Sequence, residues 1–234
     1  MDGYIPHTSS PKGILNCIKP ALNALFTGVG QVMFQQSWLS GLVFLAGIFW
    51  GAWECGMPQV AWGAVIGTVA ATAAGYLANS RSSDGAAGLW GFNGTLVGCA
   101  FPTFLPPAPL MWCALVVCAA WSTWVRDALN HVMRPWGVNS LTFPFVLLTW
   151  VFLLASHTLN GIAPEPTVAA PMAETLDTSL QSLAIYWLKG ISQVFLINSW
   201  VTGLFFLVAL AVSSRWAAAW AAVSSAVALT VATL

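Results

Sequence analysis

The sequence predicts an all-α protein that crosses a lipid bilayer several times and is built from two related halves. Three observations carry this expectation. Of 234 residues, 58% are hydrophobic and only 6% are charged, whereas a soluble domain carries about 25% charged residues. Apolar tracts recur along the chain at close to the roughly 20 residues that a helix needs to span a bilayer. An eighteen-residue stretch near the start also reappears, much altered, in the second half of the chain.

The elements follow in order. Residues 1–19 form a polar segment, and its leader MDGYIPHTSS has no basic region of the signal-peptide kind. Apolar tracts then fall at 20–36, 38–53, 59–78, 88–105, 108–127, 139–157, 182–197, 199–213 and 216–234. The first is short and broken by Gly28 and Gly30, so it is not expected to be a full span. Charges sit between tracts: Glu54, then Arg81 with Asp84, then Arg126, Asp127 and Arg134. Residues 158–180 form the longest polar link, with Pro164, Pro166 and Pro171 and the acids Glu165, Glu174 and Asp177. Proline at this density marks a boundary, so 20–157 reads as a first half and 181–234 as the start of a second.

The halves are repeats of each other. GVGQVMFQQSWLSGLVFL (28–45) aligns without a gap on GISQVFLINSWVTGLFFL (190–207), with nine identities in eighteen positions and an offset of 190 − 28 = 162. The paired Gln31/Gln193, Trp38/Trp200 and Gly41/Gly203 argue against coincidence between merely apolar segments. Five full spans are expected between the two repeat starts, and an odd number turns the second copy upside down, a plan common among transporters and channels. Lys12 and Lys19 precede the first copy, while the 158–180 link holds acids and no Lys or Arg; this places the N-terminus in the cytoplasm. The same offset would put the mate of GFNG (91–94) at 253–256, so the sequence reads as truncated partway through its second half.

Several function classes are excluded on chemistry. Seven basic and seven acidic residues give zero net charge, which leaves no basic surface for nucleic acid. No Lys, Arg, Asp or Glu falls in the middle of a predicted span, although ion pumps and proton-coupled carriers need buried ionisable groups. His7, His131 and His157 lie before, between or at the ends of spans, which speaks against an ammonia pore. Cys17, Cys55, Cys99, Cys113 and Cys118 show no CxxC pair and read as small packing residues. Nothing in the pattern calls for a metal or a cofactor, and no catalytic set supports an enzyme.

The candidate functional residues are therefore neutral. GLWGFNGTLVG (88–98) places three glycines and Asn93 within the seven residues 88–94 of an apolar tract, with a fourth glycine at 98. Its GFNG (91–94) reads as an irregular turn before a helix, tolerable at membrane depth only where protein or a water-filled cavity covers it. The competing reading is a packing notch for close helix contact. Gln31 and Gln193 read either as helix-packing glutamines or as pore-facing amides able to bond a neutral solute. In SLTFPFVLL (140–148), Pro144 frees a backbone carbonyl and Thr142 offers a hydroxyl toward it; a kink with the threonine bonded to its own helix is the plainer alternative.

GLWGFNGTLVG, the doubled QV segment with its trailing (S/T)GL.FL, and the T-F-P-F stretch together resemble the urea transporter family over essentially the whole chain. One motif departs: Val138-Asn139 stands where the family often has Leu-Pro ahead of the threonine. The resemblance implies an integral protein of the cell (inner or plasma) membrane, a homotrimer whose protomers each hold a pore between two inverted halves. Each half would carry five spans and a tilted partial helix, with urea as the permeant. It further implies that Gln31 and Gln193, with Val32, Val194 and the carbonyls that follow, begin two ladders of oxygens. Phe34, Phe92 and Leu96 would form an apolar wall, with Leu196 at the second-half position matching Phe34, while Asn93 shapes the turn and Thr142 narrows the centre. Two alternatives stay open: a channel for another small neutral amide or ammonia, and a non-conducting truncated membrane protein.

Overall fold

The computed structural model describes residues 11–79, 83–159, 177 and 179–232, with side chains from Lys19 onward. The 1–10 leader with His7, Arg81, and most of the 158–180 link with its prolines lie outside the described residues. Among the described residues the chain forms ten α-helices and no strand: α1 Pro11–Gln31, α2 Trp38–Glu54, α3 Pro58–Asn79, α4 Ser83–Ala86, α5 Gly91–Phe104, α6 Pro109–Met133, α7 Phe143–Ser156, α8 Leu180–Ser192, α9 Trp200–Ser213 and α10 Arg215–Ala232. Short 3₁₀ turns at Arg134–Trp136 and Gln193–Phe195 extend α6 and α8.

Among the described residues three helices are long and apolar enough to cross a membrane: α3, α6 with its 3₁₀ extension, and α10. The α8 and α9 segments pass the same test together but meet at a 72° bend, while α2 and α7 are shorter apolar helices. Of the five tracts expected as spans between the repeat starts, the one at 88–105 is set apart by its burial. There α5 has only fourteen residues, twelve of them buried, and at 1.5 Å per residue it rises about 21 Å. Its length is fixed at both ends. A turn over 87–90 precedes it, and Leu105 is extended (ψ 144°) ahead of Pro106, as the residue before a proline prefers. An apolar sequence this short, wrapped by α3, α6, α1 and α7, packs as an interior helix.

The repeat seen in the sequence is also a repeat of conformation. Helix α1 ends when Phe34 enters the left-handed region at φ +59°, and Leu196 does the same at φ +60°. Ser37 and Ser199 then cap α2 and α9, accepting hydrogen bonds from the amides of Ser40 (3.3 Å) and Thr202 (3.1 Å). Gly41 and Gly203 lie so close to the Phe26 and Leu188 carbonyls that a side chain at either would overlap them, and Phe26 and Leu188 are themselves repeat mates.

Where α2 crosses α9 the mates Phe44 and Phe206 meet edge to face at 5.2 Å, and Phe195 joins them at 5.0 Å from Phe206. All three rings are fully buried. The Thr202 hydroxyl adds a bond to the Gly47 carbonyl (2.8 Å). Phe206→Ala is expected to cost about 3–5 kcal/mol, because rigid helix backbones on both sides prevent the cavity from closing. Thermal unfolding of purified protein in detergent measures this; an unchanged transition would remove the cluster from the list of what joins the two copies.

Candidate functional site

The site assembles where the end of α1, the turn leading into α5, the start of α7 and the 3₁₀ turn after α8 converge. Gln31 is the last residue of α1, and its side-chain amide donates to the Ala87 carbonyl at 2.8 Å. The donor end of the amide is thereby held toward the α4–α5 turn, leaving the Oε1 end to accept. The helix finishes with a reverse-turn cap in which the Gln35 amide reaches back to the Gly30 carbonyl (3.0 Å). Glycine normally occupies the left-handed position of such a cap. Phe34 occupies it here, at a backbone cost of about 1–2 kcal/mol, and keeps its ring 69% exposed.

The glycine-rich stretch divides into two roles, and the expected irregular turn at GFNG is corrected. The turn lies one step earlier. Gly88 takes φ +75°, and it sits against the Thr27–Gly28 backbone with no room for a Cβ, so only glycine satisfies both demands. GFNG itself is helical and opens α5. Gly94 and Gly98 there face Gly67 and Gly63 of α3, backbone against backbone, in the close approach that small residues permit between membrane helices. The packing-notch reading holds for these two glycines. Trp90 closes the turn from below, 2% exposed and edge-on to Tyr76 at 5.0 Å.

Phe92 and Leu96, 6% and 5% exposed, fall on one side of α5 and join Val32 and Phe195 in a single apolar cluster. Phe34 does not join that buried cluster. Asn93, 1% exposed, reaches the start of α7. Its Nδ2 donates to the Leu141 carbonyl (3.2 Å) and its Oδ1 accepts from the Phe145 amide (3.2 Å). Phe145 is the third residue of α7, and its N–H is one of the orphan donors that a helix start leaves open. Thr142 stands at the cap position of α7 yet makes no side-chain cap bond. Asn93 therefore caps α7 from another helix, and the Thr142 hydroxyl is not consumed by that task. Pro144 sits at the first turn of α7, where its missing N–H costs nothing; it therefore neither frees a helix carbonyl, as expected, nor kinks the helix, the alternative, because no intrahelical bond is broken there.

Gln193 and Val194 are exposed. They line a cleft of about 630 Å³ together with Met33, Lys189, Asn198 and Ser225. The structure thus brings together Gln31, Val32, Phe92, Asn93, Leu96 and Thr142, and sets Gln193 and Val194 beside them across Met33 and Phe195.

Three participants escaped the sequence reading. Ala87 supplies the carbonyl that orients Gln31, and an alanine carries no signal of that. Asn130, beyond the middle of α6, accepts from the Ser140 amide at 2.7 Å and steadies the approach to Thr142. Arg126, expected in a linker, is buried in α6 at 6% exposure. It bridges Asp84 of α4 through Nη2 (2.9 Å) and Asp127 through Nη1 (2.8 Å), and both acids are about 40% exposed. His131 likewise lies in the last turn of α6 rather than in a loop.

The family model described as urea transporter matches residues 22–234. The chain is similar to urea transporter 1 of Ovis aries, 29% identical over 217 residues, which cover 87% of this chain and 55% of that protein. It is similar to urea transporter 1 of Rattus norvegicus at 27% over 239 residues, 95% of this chain and 60% of that protein. The chain spans a little over half the length of these relatives.

Proposed function

Because this chain belongs to the urea transporter family, a family of integral membrane transporters, we propose that it forms part of a passive pathway for urea across the cell membrane. The observation that carries the reading is the Gln31 amide, one N–H bound to the Ala87 carbonyl and its oxygen left to accept, beside the buried apolar face of Phe92 and Leu96. Urea is flat and neutral, with four N–H donors and one carbonyl. Stripping its water in a dry pore costs roughly 2–7 kcal/mol for each polar group left unbonded. A row of acceptors along the edge of a slot replaces those bonds, while apolar walls face the flat sides. Neutral hydrogen bonds at about 1 kcal/mol net each let the solute leave again, and an ion meets no compensating charge.

In this reading Gln31 and Gln193, with the carbonyls at Val32 and Val194, start the two acceptor ladders. Phe34, Phe92 and Leu96 wall the slot, Asn93 sets its frame and Thr142 narrows it. Residues 20–157 and 181–234 are the two halves, inverted in the membrane and joined by 158–180, and three copies assemble with one pathway each. The protein moves its solute unchanged and catalyses no reaction.

Stopped-flow light scattering of proteoliposomes tests this. Urea flux is expected above that of protein-free vesicles and insensitive to membrane potential or a proton gradient; coupling to either would sink the reading. Thr142→Val, which removes one hydroxyl while keeping shape, is expected to lower flux about fivefold, the equivalent of one net hydrogen bond. Phe92→Ala is expected to relax discrimination against bulkier amides in the same assay.

A further inference from the structure

We propose that Arg126 is a positioning residue that decides which end of the Gln31 amide faces the solute, acting through Asp84 and the Ala87 carbonyl. The inference rests on the urea-permeation reading. Helix α4 is a single turn of four residues, too short to hold its own orientation. Glycine contacts seat it: Gly85 lies flat against the Trp90 ring. Such contacts set distance but carry little direction. Directional bonds come from the Arg126 Nη2 to Asp84 carboxylate pair at 2.9 Å and, at the far end of the turn, from the Thr123 hydroxyl to the Trp90 carbonyl at 3.1 Å.

From Asp84 the constraint passes along backbone. Its carbonyl accepts from the Leu89 amide at 2.9 Å, and the neighbouring Ser83 and Gly85 carbonyls accept from Ala87 and Gly88, each at 3.0 Å. These three bonds wind 83–89 into one rigid turn. The Ala87 carbonyl at its crest takes the Gln31 Nε2 proton at 2.8 Å. Arg126 on α6 thus fixes an amide on α1 through two hydrogen-bonded steps.

The chemistry makes this orientation matter. An amide offers donors at one end and an acceptor at the other. With Nε2 held by Ala87, Gln31 presents oxygen to the N–H groups of urea. Released, the amide can turn and present N–H to N–H, which repels urea. Acetamide has a methyl group where urea has one NH₂, so it suffers less. Arg126 is a fork rather than a point charge here, with Nη1 on Asp127 and Nη2 on Asp84. Lysine keeps the charge but cannot hold two separate carboxylates in that geometry.

The test uses Arg126→Lys, which keeps the charge balance, with Gln31→Leu and the double variant, all as the full chain in proteoliposomes. Urea and acetamide fluxes are measured together, and hydrogen exchange is followed in peptides covering 83–90 and 28–35. Arg126→Lys is expected to lower urea flux roughly fivefold, to lower the urea-to-acetamide ratio, and to speed exchange in both peptides. The double variant is expected to be no worse than Gln31→Leu alone, because both act at one bond. An unchanged ratio with unchanged exchange at 28–35 overturns the proposal, and so does a double variant that multiplies the two single losses. If the wild-type chain passes no urea, the permeation reading fails by itself. Exchange then decides the Arg126 linkage: faster exchange at 28–35 in Arg126→Lys upholds it, and unchanged exchange overturns it.

Discussion

Gly98→Val is expected to remove most of the folded protein. Helices α3 and α5 run antiparallel with Gly63 opposite Gly98 and Gly67 opposite Gly94, and a Cβ at Gly98 would overlap the Gly63 carbonyl and come within 3.0 Å of the Ala64 Cα. The obstacles are main-chain atoms, which have no alternative rotamer. The helices must part to admit the side chain, yet α5 is buried along almost its whole length against α6, α1 and α7. Overpacking costs about 1–3 kcal/mol where side chains can adjust, and more where they cannot. Here the upper end is expected or exceeded, against a total stability of order 5–15 kcal/mol for a folded domain. Size-exclusion profiles of the solubilised protein should lose the monodisperse peak. Gly137→Ala is the control: Gly137 is left-handed, at φ +64°, and faces open space, so the change should cost only about 1–2 kcal/mol of backbone strain. Equal profiles for the two variants would show that the α3–α5 contact is looser than described.

Asn93→Leu is expected to have the second largest effect, with a different signature. Leucine fills nearly the same space but abandons both bonds of Asn93, stranding the Leu141 carbonyl and the Phe145 amide. Each unpaired buried group costs about 1–3 kcal/mol, so roughly 2–6 kcal/mol is lost in all. The loss concentrates at the entry to α7. Leu141 already sits at φ +47°, a conformation that a branched residue keeps only while its neighbours impose it. Hydrogen exchange in a peptide covering 140–147 should accelerate strongly, while the α3–α5 helices stay protected. With its cap gone, α7 is expected to recruit the Thr142 hydroxyl, and urea flux should fall further than in Thr142→Val. Uniform acceleration throughout the chain would argue that Asn93 supports general packing and has no particular hold on α7.

The two variants also mark where reading the sequence succeeds and where it stops. Length and hydropathy are local, so the helices appear close to the predicted tracts. Side-chain identity at a fixed offset is local too, which is why the repeat was visible and why Phe34 and Leu196, or Gly41 and Gly203, turn out to share one conformation. The glycines of 88–98 were recognisable as special, but their division into one turn residue and two contact residues was not. That division depends on what lies opposite, Thr27 for Gly88 and Gly67 for Gly94.

Composition, tract length and repetition are properties of the chain alone, and they suffice for a helical membrane protein with a repeated segment. Tertiary structure alone decided that α5 is an interior helix, since an apolar residue reads the same whether it faces lipid or protein. It alone decided the pairings of Gln31 with Ala87, Asn93 with Phe145 and Arg126 with Asp84, which lie 56, 52 and 42 residues apart. Each is a single directional bond between groups that every amide, carbonyl or carboxylate in the chain could offer. Only the close approach of glycine-faced helices selects which of them come within reach.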